Sequence, residues 1–254
     1  MATLFCAPLA LSINGANAAT TAPASNLSMF NYPGMVWRSA NLATVYVTAQ
    51  IAGTWDTLAL VGTNLRASDT VRIRAASTAA ATTSAPAYDT TIAAWTGVAP
   101  VGSALTLLTL PTARNETFDR IDITSTGNPA GYVEVQSLVI GQRFENPGLD
   151  IGAERTMEDM SGIEEGIGYT AINASGVRVG WKLTISGIKE ADYEAVWHPF
   201  ARKMGNSKPF LFVEDTAPAY LQNRAALCRF TSSAKGSASA SDYYVIDASL
   251  KSVS

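Results

Sequence analysis

Short runs of alternating apolar and polar residues recur through the first half of the chain, separated by turn-forming residues. Residues 43–49 are rich in β-branched and aromatic side chains, and residues 55–61, 103–110, 118–124 and 132–140 continue the series. In 70–74, Val71 and Ile73 take one face while Arg72 and Arg74 take the other, the period of two of a half-buried strand. Gly53, Gly62, Asn64, Gly127, Pro129 and Gly131 punctuate these runs as turns. Such spacing predicts an antiparallel sandwich. Residues 75–87, mostly Ala, Ser and Thr with one Pro, read as a mobile surface loop.

In the second half, residues 177–185 place Val177, Val179, Trp181, Leu183 and Ile185 on one face, and Ser186 with Gly187 predicts a break. Tyr193, Val196, Trp197 and Phe200 then recur at helical spacing, so 189–204 is expected to form one amphipathic helix stopped by Gly205. Pro199 inside it predicts a kink or a restart. Residues 209–213, 225–231 and 243–253 supply three further strands. Between the halves, residues 141–168 carry Pro147, several glycines and the acids Glu145, Asp150, Glu154, Glu158, Asp159, Glu164 and Glu165. The first lysine is Lys182, a shift in usage consistent with two modules.

The fold class expected is therefore mainly β: an N-terminal antiparallel β-sandwich and a C-terminal β-rich module with one main helix. The expected domains are an arm over 1–35, the sandwich over 36–143, an acidic Gly-rich linker over 144–170 and the second module over 171–254. Residues 4–13, followed by Asn17, Ala18 and Ala19, imitate a signal peptide, but no Lys or Arg precedes them. They are expected to be an ordered arm or a first strand, not an export signal.

Composition narrows the function classes. The 254 residues are 47% hydrophobic and only 15% charged, with net charge −3, which fits a chain with a real core and surfaces covered by partners. No polybasic footprint for nucleic acid is present. No apolar run reaches the roughly 18 residues that a spanning helix requires. Cys6 and Cys228 belong to no paired motif; a disulfide and two buried thiols are both open, with thiols the commoner outcome.

Candidate chemistry is sparse. His198 is the one histidine, sits within Trp197-His-Pro-Phe200, and reads as a packed or capping residue, because no partner motif accompanies it. No nucleophile elbow, phosphate loop, dinucleotide fingerprint or zinc-protease motif is present. The acids of 145–165 lack the regular spacing of a calcium loop and are expected to be solvated or to pair with basic residues of a neighbouring subunit. Expected catalytic, cofactor-binding and metal residues are therefore none, and the chain is expected not to be an enzyme. Asn26, Asn115 and Asn173 head glycosylation sequons of the kind that chance supplies in a Ser/Thr-rich chain. Trp37, Tyr88 and Trp95 are candidates to stack on sugar rings and equally candidates for the core.

Taken in order, Asp56-Thr-Leu-Ala-Leu-Val-Gly-Thr-Asn-Leu65, Thr70-Val-Arg-Ile-Arg74, Phe118-Asp-Arg-Ile-Asp-Ile123 and Tyr132-Val-Glu-Val-Gln-Ser-Leu-Val-Ile-Gly141 resemble a galactose-binding-like β-sandwich (jelly roll). More narrowly, they resemble the version in tail proteins of long-tailed bacteriophages. Trp181-Lys-Leu-Thr-Ile185, the helix and Lys208-Pro-Phe-Leu-Phe-Val213 are similar to the strand–helix–strand cores of phage tail-tube and distal-tail rings. The resemblance implies a tail-tip or baseplate protein of distal-tail or hub type: a structural homo-oligomeric ring that joins the tail tube to the tip and the host-attachment apparatus. It implies tail tube, hub, tape measure and tip fibres as partners, and a place in the virion after assembly in the bacterial cytoplasm. The alternative is a receptor-binding module whose sandwich holds a host-surface glycan; no sugar-contacting set transfers position by position. A ring is expected to form through open edges of strands 177–185 and 243–253, with the residues before 43 as an arm.

Overall fold

The structure is a computed structural model describing residues 2–146 and 148–253 and, for Tyr169, the backbone alone. Met1, Pro147 and Ser254, which the expected domains and join include, lie outside the described residues. The chain is mainly β and divides into two compact units: Met1–Pro147 with Phe210–Ala226, and Gly148–Pro209 with Leu227–Ser254.

The first unit contains the sandwich. One sheet runs in the order Leu11–Ala16, Val45–Ile51, Phe118–Thr124, Thr70–Ala76, Tyr88–Ala93, and the other in the order Trp37–Arg38, Glu134–Gly141, Trp55–Thr63, Ala104–Arg114. Every pairing in both is antiparallel. Val47, Val71, Ile73, Ile121 and Ile123 of the first sheet form one buried cluster with Leu58, Leu60, Leu108, Leu138 and Ile140 of the second. The alternation of 70–74 is realised as expected: Val71 and Ile73 are in the cluster, while Arg72 and Arg74 pair across strands with Asp89 and Asp122, each at 2.5 Å. That ladder of opposite charges specifies strand register on the outer face.

Three expectations about this unit change. Of the two readings of 4–13 the first strand holds and the arm over 1–35 does not: Leu11–Ala16 is an edge strand of the sandwich, and Thr3–Cys6 pairs with Arg143–Asn146 on one side and Phe210–Val213 on the other. Strand 210–213 forms where expected but belongs with the sandwich unit, since Phe212 and Phe210 pack their rings on Phe5 at 5.1 and 6.1 Å. The supposed mobile loop 75–87 opens with the last residues of a strand and holds a helical turn, Ala81–Ser84, with Thr82 buried and its Oγ1 donating to Ala79 O at 2.7 Å.

In the second unit the strands run Glu154–Asp159, Val177–Lys189, Tyr243–Ser252, Ala225–Phe230, and Lys235–Ala240 also pairs with Tyr243–Ser252. Trp181, Leu183 and Ile185 are buried as predicted, whereas Val177 is exposed. Ser186 and Gly187 do not end the strand; they make a bulge, and pairing resumes at Ile188. A helical run over 190–204 consists of Glu190–Asp192, a π-helical stretch Tyr193–Trp197 and His198–Met204. The widened turn comes directly before Pro199 and accommodates its ring and missing N–H, so the run continues. Trp197, Phe200 and Met204 are its buried side chains, with Phe200 edge-on to Phe230 at 6.1 Å.

The expected linker 144–170 is structured. It contributes the end of Arg143–Asn146, the strand Glu154–Asp159 and the hairpin strand Gly162–Gly166, which pairs with Tyr169–Asn173. Consequently Val177–Lys189 lies between two strands and Tyr243–Ser252 contacts three, so neither offers the open edge expected of it.

Candidate functional site

Glu154–Asp159 is an open edge of the second unit, and every side chain on it is exposed. The chain continues from it into the hairpin Gly162–Gly166/Tyr169–Asn173, closed by Ile167 and Gly168. Gly168 has φ of +82°, a value that a side chain would strain in so tight a turn. The hairpin grows from the end of the edge pair, where Met160 N donates to Gly176 O and Ser175 N donates to Ser161 Oγ at 2.9 Å. Met157, Ile163 and Ile172 are 75%, 64% and 67% exposed, and Ile167 at the tip is fully exposed. Glu154, Glu164 and Glu165 stand beside them without an ion pair among the described residues.

A two-stranded hairpin is marginally stable unless something packs against it. An exposed edge carrying apolar side chains is a template for association, and soluble chains ordinarily blunt such edges. This ribbon therefore has the chemistry of a contact surface: apolar side chains on a flat backbone edge, bordered by carboxylates.

The residues singled out from sequence fall elsewhere. His198 is exposed on the helix, with Nδ1 3.4 Å from Glu194 Oε2 and its ring stacked on Tyr193, a local set of partners. Trp37 is core, 1% exposed, and its Nε1 donates to Asn17 O. Tyr88 has the Arg114 guanidinium over its ring at 4.8 Å. Trp95 lines an open cleft, about 200 Å³ in volume, with Leu105, Leu107, Leu221 and Gln222. The Gln222 amide is committed there, accepting from Leu105 N at 2.8 Å and donating to Leu105 O at 2.7 Å. The cleft wall is thus mostly apolar, whereas a sugar needs several convergent polar groups.

The acids of 145–165 do not converge. Glu145 pairs with Arg143, Glu158 with Lys251, and Asp150 accepts from Ser186, while the Ser161 hydroxyl and N–H hold Asp159 below the usual carboxylate range. Among the described residues no three His, Cys, Asp or Glu side chains gather as for a metal ion. Both cysteines carry buried free thiols, and burial pushes that of Cys228 well up. Asn26 is buried and its amide donates to Val36 O, so that sequon is closed to a glycan.

Sequence reasoning missed the ribbon, because Gly162–Gly166 and Tyr169–Asn173 are exposed throughout their described side chains and show no inside-outside alternation. The available signal was the Ile-Gly step flanked by two short runs, a hairpin pattern. It also missed Asp119, which is fully buried in the sandwich with neither carboxylate oxygen hydrogen-bonded.

No family model matches the chain, and no curated protein matches it. Among solved structures it is similar to the family 32 carbohydrate-binding module of C. perfringens NanJ, solved with galactose. Identity is 12% and the TM-score 0.38, over 56% of this chain and 99% of that one. A likeness of that degree decides nothing about ligands.

Proposed function

We propose that this protein is a structural subunit that assembles with copies of itself into a ring, and that the ring belongs to the tail tip of a long-tailed bacteriophage. The observation that carries the assembly is the exposed ribbon over 154–173, where backbone edge and apolar side chains are offered together. The tail-tip assignment rests on the order of sequence motifs described above and brings with it tail tube, hub, tape measure and tip fibres as partners in the virion. In this role the chain performs no catalytic step and holds no cofactor. The local partners of His198 and the dispersed carboxylates are in keeping with that.

Binding of a host glycan by the sandwich is less well supported. Trp37 and Tyr88 are occupied by the fold, and the cleft beside Trp95 has its best polar side chain already engaged.

Sedimentation of the full chain, with electron microscopy of the product, tests the proposal. Closed rings are expected. A chain that stays monomeric at high concentration while binding galactose-containing glycans on an array would overturn it.

A further inference from the structure

We infer that the hairpin tip of one copy docks into the cleft at the C-terminal end of the helix of the next, Ile167 entering it and Glu164 and Glu165 meeting Arg202 and Lys203. This deepens the self-assembly proposed above and rests on it.

The cleft lies within the second unit, has a volume of about 270 Å³, and is lined by Ala201, Phe230 and Ala234 with Arg202 and His198 beside them. It is several times the ~30 Å³ share of one water and smaller than the roughly 300 Å³ at which small-molecule pockets begin. An aliphatic side chain with its flanking backbone suits it. Arg202 and Lys203 close the last helical turn, are exposed, and make no ion pair among the described residues. Cations there also face the negative end of the helix, so an arriving carboxylate is attracted to the side chains and not to the carbonyls. The exposed, unpaired Glu164 and Glu165 stand three and two residues before Ile167, at the point where the hairpin turns. Apolar tip and apolar cleft, carboxylates and cations, match in kind and in spacing.

Sheet order makes the second copy the occupant. The cleft adjoins Ala225–Phe230 through Phe230, and Arg229 Nη1 donates to Asn206 O in the same loop. The ribbon springs from Glu154–Asp159, at the other end of that strand order with two strands between. At about 4.8 Å per strand the two strands are ~14 Å apart, and the hairpin continues past the end of Glu154–Asp159. Tip and cleft are two different patches of one chain, and joined head to tail, each tip in the next copy's cleft, they form the kind of interface that closes a ring.

The experiment uses the full chain with two charge-reversed proteins, Glu164→Lys/Glu165→Lys and Arg202→Glu/Lys203→Glu. All four positions are exposed, so circular dichroism and melting are expected to match the wild type. Each variant alone should associate at least ~100-fold more weakly than wild type in sedimentation, because like charges are set face to face. Mixed in equal amounts they should assemble again, since each ribbon now meets an opposite charge. Either variant assembling as the wild type does, or a mixture that stays monomeric, overturns this docking while wild-type assembly still upholds the wider proposal. A monomeric wild type overturns both.

Discussion

Asp119 should make the sandwich less stable as the pH rises, and Asp119→Asn should remove that dependence. The carboxyl is fully buried between Ala49 and Ala75, its partners on the two neighbouring strands, and neither oxygen has a hydrogen-bond partner. Burial pushes its pKa well above the usual carboxylate range, and the Glu116 charge adds to this against an opposing Arg114. A carboxyl whose folded pKa is raised is harmless below its unfolded value, near 4, where it is neutral in both states. Above that value the unfolded chain ionises and the folded one resists. Stability is then lost at about 1.4 kcal/mol per pH unit until the folded group ionises too. Asparagine has the same shape and stays neutral, though its buried amide also goes unpaired at about 1–3 kcal/mol. The two proteins should therefore lie within about 2 kcal/mol of each other at pH 4, with wild type equal or ahead. By pH 8 the variant should have gained at least about 2 kcal/mol on wild type. Urea unfolding at both pH values reads the difference, and a carbon-13 titration of the carboxyl reads its cause. A stability difference that is the same at pH 4 and pH 8 would refute the reasoning.

Asp69 should act in the opposite sense. Burial pushes its carboxyl up, but the Arg66 guanidinium and N–H, with the Ser125 hydroxyl, outweigh burial and hold it below the usual range. Its stabilisation is present above the unfolded value near 4 and is lost as the pH falls through the lower folded one, and Asp69→Ala should cost about 2–3 kcal/mol in urea unfolding at neutral pH. Gly97→Ala should lower the melting temperature sharply: Gly97 has φ of +84°, and a Cβ there would lie 2.3 Å from Pro218 O. Neither Cys6 nor Cys228 should react with a thiol reagent in the native protein, and both should react once it is unfolded, because the fold buries both thiols.

Sequence alone determined which stretches are strands wherever one face is buried and the other wet. Residues 70–74 and 118–124 were legible because Val71, Ile73, Ile121 and Ile123 must leave water, while Arg72 stays exposed and Arg74 pairs with Asp122 on the other face. The helix was legible for the same reason, through Tyr193, Val196, Trp197 and Phe200, of which the last two are buried and the first two half-buried.

Which strand ends a sheet was decided only by tertiary structure. Val177–Lys189 has the pattern of an edge or of an interior strand alike, and its neighbour Glu154–Asp159 comes from a stretch whose acids and glycines read as linker. A ribbon exposed on all sides imposes no period on its sequence, because no side of it must avoid water. The place of Thr3–Cys6 beside Phe210–Val213 was equally hidden, for that pairing spans most of the chain and is selected by the packing of Phe5 on Phe212 and Phe210. Local pattern encodes the face of a strand; the partner across its edge is chosen by everything else in the fold.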